Sequence, residues 1–220
     1  MRYAPKELMA LGKTVITAHS GCEGKPDNSI EHIEAAIACG AEMIEVDVRQ
    51  AADGTLYLGH DVPEDIGTRP LLQELFERVA LAENMEMNLD AKTEGLIVPV
   101  MELAEQYGLA DRIVFTGACN ADRALANSLG AEIWHSMWQG DSIPEGMEAI
   151  KADGSPFLNV YFGMITEEDD RALRNMGRGF SAWTVNTEDE LRRFLTMGIS
   201  NITTRVPGLA MKLRREIQGV

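Results

Sequence analysis

Two carboxylates stand two positions apart in the apolar run MIEVDV at residues 43–48. Successive side chains of a β-strand point to opposite faces, so Glu45 and Asp47 are expected on one face, about 7 Å apart along the backbone. Two like charges on an inward face are costly unless a cation or a proton neutralises them. The pair therefore indicates a site for a cation or for a shared proton.

Other ionisable side chains fall where neighbouring strands are predicted to end, namely His19, His60, Asp90 and Lys92. Each alone is more typical of a structural hydrogen bond, a solvated strand edge or a simple ion pair. In a barrel of parallel strands, however, the carboxyl ends of the strands form one catalytic rim. Their occurrence together on separate strands favours a functional site.

Three carboxylates form a hard-oxygen site suited to one Mg²⁺ or Ca²⁺ ion rather than to zinc. Two histidines beside such an ion suit general acid and general base roles, because an unperturbed imidazole titrates at about pH 6.5. A divalent ion with a lysine next to it suits phosphoryl oxygens. The residues thus predict metal-assisted phosphoryl chemistry.

Strand-like and helix-like runs alternate along the chain without a linker or low-complexity segment, so we predict a single domain over residues 1–220. Strands are predicted at 14–19, 42–48, 55–60, 85–91, 112–116, 131–135, 157–161, 179–185 and 200–204. Helices are predicted at 29–39, 70–82, 94–107, 121–129, 144–152, 166–176, 187–197 and 207–217.

This alternation predicts an α/β fold with a parallel sheet and outer helices. Eight strand–helix units favour a (β/α)8 TIM barrel, with an open doubly wound sheet as the alternative. The extra run at 55–60 follows the turn signal Asp53-Gly54 and is expected to be a β-hairpin arm. Two helix starts have capping-box spacing, Asn28 with Glu31 and Thr187 with Glu190.

Composition excludes several other classes of protein. A formal charge of −15 over 220 residues disfavours nucleic acid and anionic membranes as partners. Three cysteines without paired spacing fit a reducing compartment. The N-terminus lacks a signal-peptide pattern, and no run reaches the roughly 20 apolar residues of a membrane span. A cytoplasmic location is expected, and self-association of the chain stays open.

Ordered motifs over most of the chain resemble the glycerophosphodiester phosphodiesterases, members of the phosphatidylinositol-phospholipase-C-like barrels. They are AHSG (18–21), PDNS (26–29), AAIACGAEMIEVDV (35–48), DGTLYLGHD (53–61), MNLDAK (87–92), AWTVNTEDEL (182–191) and MGISNITTRVP (197–207).

The resemblance implies hydrolysis of glycerophosphodiesters to glycerol 3-phosphate and an alcohol. His19 and His60 would act as the acid–base pair, and a neighbouring substrate hydroxyl would form a cyclic phosphate that water then opens. The implied ligands of the Mg²⁺ or Ca²⁺ ion are Glu45, Asp47 and Asp90. The implied partner is a small phosphodiester substrate.

The resemblance also places Lys92 beside the phosphate and Trp183 in the pocket wall, and this chain departs from the family around them. Ser20 replaces an arginine that contacts phosphate, and Asp27 replaces a glutamate. Asp90 replaces a metal-ligating glutamate. The small insertion that caps the family's pocket looks lost after His60.

Loss of a bidentate arginine is not a conservative change. Arg49 and Arg69 are candidate replacements for it. Two alternatives to hydrolysis stay open: a lyase that releases the cyclic phosphate, and a non-catalytic protein that binds a phosphate ligand. The segment EIWHSMW (132–138) is predicted to be packed core, with an aromatic wall at the rim as the alternative.

Overall fold

Short strands alternate with helices throughout residues 5–138 and 140–220, which the computed structural model describes. The strands in these residues are β1 (Val15–Ala18), β2 (Met43–Gln50), β3 (Leu56–Leu58), β4 (Glu86–Ala91), β5 (Ile113–Gly117), β6 (Glu132–Ile133), β7 (His135–Ser136), β8 (Phe157–Tyr161), β9 (Gly179–Trp183) and β10 (Asn201–Thr204). The predicted strands are therefore all present, and one of them is divided in two.

The strands close into a barrel. They pair in the order β6-β5-β4-β2-β1-β10-β9-β8-β7, and every pairing along this path is parallel. β6 and β7 are the two halves of one barrel strand, separated by Trp134, whose N–H donates to the carbonyl of Phe115 (2.9 Å). One half pairs with β5 and the other with β8, so eight barrel positions form a ring. The (β/α)8 prediction is confirmed, and the open sheet is excluded.

β3 lies outside the ring as an antiparallel partner of β2, with Val48 opposite Leu58. This confirms the predicted hairpin arm. Between β3 and the next helix the chain runs through residues 59–71 with a single 3₁₀ turn, Ile66–Thr68. This short connection agrees with the predicted loss of the cap insertion.

The helices surround the barrel: α1 (Pro5–Ala10), α2 (Ile30–Cys39), α3 (Leu72–Val79), α4 (Ile97–Tyr107), α5 (Arg123–Ser128), α6 (Ile143–Asp153), α7 (Glu167–Asn175), α8 (Glu188–Met197) and α9 (Pro207–Gln218). The sequence prediction missed α1, which is too short for a clear helical period and buries Leu8 against Val15 and Met43. None of the helices in the described residues is long and apolar enough to cross a membrane.

One predicted helix cap is wrong. Ser29, not Asn28, caps α2, because the Ser29 hydroxyl accepts the N–H of His32 (3.1 Å). Thr187 caps α8 as predicted, and its hydroxyl bonds Glu190 (2.7 Å). The side chain of Asn28 is therefore available for hydrogen bonds elsewhere.

Two apolar clusters fill the space between barrel and helices, one under α2–α5 and one under α6–α9. The barrel interior is partly polar, with a ladder of hydrogen bonds from Asn201 to Ser181 (3.0 Å) and from Ser181 to Asn159 (2.9 Å).

A buried ion pair lies at the amino-terminal end of the barrel strands, where Arg214 of α9 binds Glu42 through two hydrogen bonds of 2.7 and 2.8 Å. This buried pair joins the last helix to the start of β2.

Candidate active site

Three carboxylates meet where β2 and β4 end. Asp47 and Asp90 are register partners, and Glu45 lies two residues earlier on the same face of β2. One oxygen from each of the three side chains lies within 4.8 Å of the others. Glu45 and Asp47 are buried and Asp90 is partly buried. The period-two spacing and the parallel register therefore bring together the residues that the sequence singled out.

Neighbouring groups hold these carboxylates in place. Asn28 donates from Nδ2 to Asp47 Oδ2 (2.7 Å), and its Oδ1 accepts the backbone N–H of Asp47 (3.0 Å). The backbone N–H of Ser20 donates to Glu45 Oε2 (3.0 Å). The Thr116 hydroxyl, at the end of β5, lies 3.0 Å from Asp90 Oδ1 and 2.8 Å from Asn88 Oδ1, and can donate to either. The loop between β1 and α2 thus holds Glu45 and Asp47, and the end of β5 contacts Asp90.

Gly117 leaves room for one of these carboxylates. Its φ is 84°, in the left-handed region that favours glycine. A Cβ at this position would lie 2.6 Å from Asp90 Oδ1 and 2.5 Å from the carbonyl of Ala91. Asp90 can therefore point into the cavity because residue 117 has no side chain.

The charge balance of the cluster fits a divalent cation. Lys92 contacts Asp47 (2.7 Å) and Asp90, so one ammonium faces three carboxylates. Burial lowers the pKa of Lys92, but the two carboxylates outweigh this and the pKa is raised. Burial, together with the charges of Asp47 and Asp90, raises the pKa of Glu45 well above its usual range. A group of hard oxygen donors with excess negative charge matches Mg²⁺ or Ca²⁺.

His19 directly follows β1, next to this cluster. Its Nδ1 lies 2.7 Å from the carbonyl oxygen of Ser20, which can only accept, so Nδ1 carries the proton. Nε2 then keeps its lone pair, 3.8 Å from Glu45 Oε2. Burial lowers the pKa of His19. The ring is therefore a neutral base at neutral pH, with its free nitrogen in the cavity.

His60 lies across the same cavity on the loop after β3, and most of its side chain is exposed. Its Nδ1 lies 2.9 Å from Asp61 Oδ1, which leaves Nε2 for another partner. The His60 carbonyl accepts two bonds from Arg49, of 2.9 and 2.7 Å. Arg49 therefore anchors the histidine loop and does not line the cavity.

Ser20 and Asp27 hold the loop between β1 and α2. The buried Ser20 hydroxyl accepts the N–H of Asn28 (2.8 Å). Asp27 accepts a bond from Arg205 (3.0 Å). A Cβ on Gly21, whose φ is 78°, would overlap the Asp27 carboxylate. The loop thus packs tightly against the carboxyl end of β10.

The cavity has a volume of about 340 Å³ and opens at the carboxyl ends of the strands. Its outer wall includes Trp183, Met137 and Trp138, and 55% of Trp138 is exposed. Tyr161 packs edge-on against Trp183, with ring centroids 6.2 Å apart. These side chains make the rim partly apolar and aromatic.

The two tryptophans of the segment 132–138 lie at opposite ends of the barrel. Trp134 is core, as predicted, and packs on Phe157 with ring centroids 4.9 Å apart. Trp138 is at the rim, so the prediction of packed core is wrong there and the aromatic-wall alternative holds. His135 pairs with Asp153 (2.8 Å) and does not line the cavity.

Several residues of the site were not predicted from the sequence. Asn28, which supports Asp47, lies in the PDNS motif but was interpreted as a helix cap. Thr116 ends β5, and Arg205 directly follows β10, so the rule that polar residues at strand ends are functional could have found both. Arg69, one suggested replacement for the arginine, does not line the cavity.

Comparison with known proteins agrees with this geometry. The sequence profile of the glycerophosphoryl diester phosphodiesterase family matches residues 19–105. A glycerophosphodiester phosphodiesterase from Bacillus altitudinis is 27% identical, over 93% of this chain and 100% of that protein.

Two solved structures share the fold. A phosphodiesterase from Oleispira antarctica in complex with the product sn-glycerol-3-phosphate aligns with a TM-score of 0.79 and 18% identity, covering 96% of this chain and 99% of that one. A glycerophosphodiester phosphodiesterase from Parabacteroides distasonis aligns with a TM-score of 0.78 and 20% identity, covering 93% and 98%. At these low sequence identities, the structural similarity shows that the chains share the barrel fold.

Proposed function

We propose that the chain, which is similar to the glycerophosphodiester phosphodiesterases, hydrolyses glycerophosphodiesters to glycerol 3-phosphate and a free alcohol. The observation that carries this proposal is the placement of His19 Nε2 beside the carboxylate cluster in one cavity. A base next to a divalent-cation site is the arrangement that attack on phosphorus requires.

Glu45, Asp47 and Asp90 would hold one divalent cation, Mg²⁺ or Ca²⁺. When bound, the cation neutralises charge on the phosphoryl oxygens. Lys92 supplies a second positive charge from the same side, because its ammonium already lies between Asp47 and Asp90.

His19 acts as the base and His60 as the acid in the first step. His19 Nε2 takes the proton of the substrate hydroxyl next to the phosphate, and the hydroxyl oxygen bonds to phosphorus. The bond from phosphorus to the alcohol oxygen breaks, and His60 gives that oxygen a proton. The products are a cyclic phosphate and the free alcohol.

Water opens the cyclic phosphate with the roles reversed. His60 takes a proton from water as the water oxygen bonds to phosphorus, and His19 returns its proton to the glycerol oxygen that leaves. Both histidines end in their starting states. A lyase would stop before this step and release the cyclic product.

The remaining residues bind the substrate. Trp183 and the neighbouring Trp138 form an apolar wall for the groups attached to the phosphate, and the short loop at 59–71 leaves this side open. The open wall favours substrates of varied size, including lysophospholipids, whose acyl chain is attached to the glycerol. Ser20 fixes the loop over the cavity, and Asp27 orients Arg205.

The experiment is turnover of glycerophosphocholine, glycerophosphoethanolamine and a lysophosphatidylcholine, with products identified by phosphorus NMR. A phosphomonoester that disappears in the His19→Ala variant supports the hydrolase. A stable cyclic diester identifies a lyase instead. Binding of glycerol 3-phosphate without turnover of any substrate indicates a non-catalytic protein that binds phosphate ligands.

A further inference from the structure

Arg205 enters the candidate active site directly beside His19. It follows the last residue of β10, and its backbone carbonyl accepts the N–H of Glu23 (2.8 Å). The preceding carbonyl, of Thr204, accepts the N–H of His19 (2.9 Å). The backbone at residue 205 is therefore fixed to the loop that carries the proposed base.

The guanidinium of Arg205 lies over that same loop and in the cavity wall. Nη2 donates to Asp27 Oδ2 (3.0 Å). Nη1 lies 3.2 Å from the point that a Cβ of Gly21 would occupy. Within residues 5–138 and 140–220, no hydrogen bond engages Nη1, so the guanidinium keeps a free donor edge.

No other arginine in the described residues can take this role. Ser20 is buried, and its hydroxyl already accepts the Asn28 N–H. Arg49 is committed to the carbonyl of His60. Among the arginines that the structure describes, Arg205 alone lines the cavity.

We propose that Arg205 binds the phosphate of the substrate and supplies the cationic fork that residue 20 lacks. Planar guanidinium matches two phosphate oxygens at once, which an ammonium cannot do. Asp27 holds the guanidinium in place through its bond with Nη2. This inference rests on the proposed function, because the ligand is the phosphodiester of that reaction.

The test compares Arg205→Ala and Arg205→Lys with Arg192→Ala. Arg192 forms an exposed pair with Glu188 on α8, so its removal changes net charge equally but leaves the cavity intact. We expect Arg205→Ala to lower kcat/KM for glycerophosphocholine on the order of 10²-fold, as for loss of one transition-state donor. Arg205→Lys should recover part of the loss, and added guanidinium ion at millimolar concentration should rescue Arg205→Ala.

A purely structural Arg205 gives a different pattern. Asp27→Asn would then match Arg205→Ala in kcat/KM, and guanidinium would rescue neither variant. Either that pattern, or an Arg205→Ala variant as active as Arg192→Ala, overturns the inference while leaving the proposed function standing.

If the wild-type protein turns over no phosphodiester, the proposed function fails, and calorimetric binding of glycerol 3-phosphate decides about Arg205. Binding that weakens by about tenfold or more in Arg205→Ala supports the phosphate contact. Equal binding by both proteins, or none by the wild type, overturns it.

Discussion

Asn28 and Asp47 exchange two hydrogen bonds, one between their side chains (2.7 Å) and one from the Asp47 backbone to the Asn28 side chain (3.0 Å). Asn28 adopts a φ of 52°, which asparagine tolerates better than most residues. The loop after β1 is thereby fixed to a proposed metal ligand. Small errors in ligand orientation weaken metal sites, so this contact is a direct target for mutation.

Asn28→Gly is expected to weaken Mg²⁺ or Ca²⁺ binding by about 10- to 100-fold, the usual cost of losing an outer partner of a ligand. Glycine keeps the positive φ, so the change removes the two bonds without backbone strain. Calorimetric titration of the metal measures the effect. Asn28→Ala adds strain and should also lower the melting temperature; metal affinity unchanged in Asn28→Gly would contradict the account.

The two histidines should differ in their dependence on the leaving group. His60→Ala is expected to lose about 10²- to 10⁴-fold with an alkyl alcohol as leaving group, which needs a proton. With p-nitrophenol as leaving group, which departs without a proton, the loss should nearly disappear. His19→Ala should lose activity on both substrates, because the attacking hydroxyl still needs a base. Equal losses of His60→Ala on both substrates would exclude His60 as the acid.

Stability should fall in mildly acid solution because of His32, which is fully buried beside the site. Burial lowers its pKa from 6.5 to about 4. As the pH falls, His32 therefore takes up a proton in the unfolded chain before it does so in the folded one. The contribution of His32 to the free energy of unfolding is fully present above pH 6.5 and decreases as the pH falls to about 4. We expect a loss of about 2 kcal/mol between pH 7 and 5.

Urea unfolding at pH 7 and at pH 5 measures this loss, and His32→Leu is the matched variant. Leucine does not titrate. The loss of unfolding free energy between pH 7 and pH 5 should therefore be about 2 kcal/mol smaller in His32→Leu than in the wild type. An identical pH dependence in both proteins would mean that His32 titrates normally in the folded state.

The order of elements was predictable because hydrophobic periodicity and short polar connections mark each strand and helix. The carboxylates were predictable for the same reason, since Glu45 and Asp47 share a face in any strand. Asn28 was misplaced because sequence spacing allowed two N-cap residues, and only the positive φ at Asn28 and the contact to β2 distinguish them.

The position of Arg205 after a strand could be read from the sequence, but its contact with Asp27 could not. Its partner Asp27 is 178 residues away, and the two meet only because β10 pairs with β1 when the barrel closes. Trp134 and Trp138 point to opposite ends of the barrel because the chain passes through β7 between them. Such relationships come from ring closure, which no single segment encodes.

The open aromatic rim should bind the acyl chain of a lysophospholipid. Trp138→Ala is expected to raise KM for a long-chain lysophosphatidylcholine by about tenfold, because the exposed ring offers apolar surface to the chain. KM for glycerophosphoethanolamine should change little. Leu81→Ala, which trims an exposed leucine away from the cavity, is the control. Equal effects of Trp138→Ala on both substrates would place the acyl chain elsewhere.

The most direct test of the central claim is phosphodiester turnover after metal removal. The protein is treated with chelator, and hydrolysis of glycerophosphocholine is followed as Mg²⁺ or Ca²⁺ is added back, for the wild type and for Asp47→Asn. The account predicts no turnover in chelator, recovery at stoichiometric site occupancy, and a far higher metal requirement in the variant, because Asp47 is one of three ligands. Full turnover in chelator, or an unchanged metal response in Asp47→Asn, would contradict it.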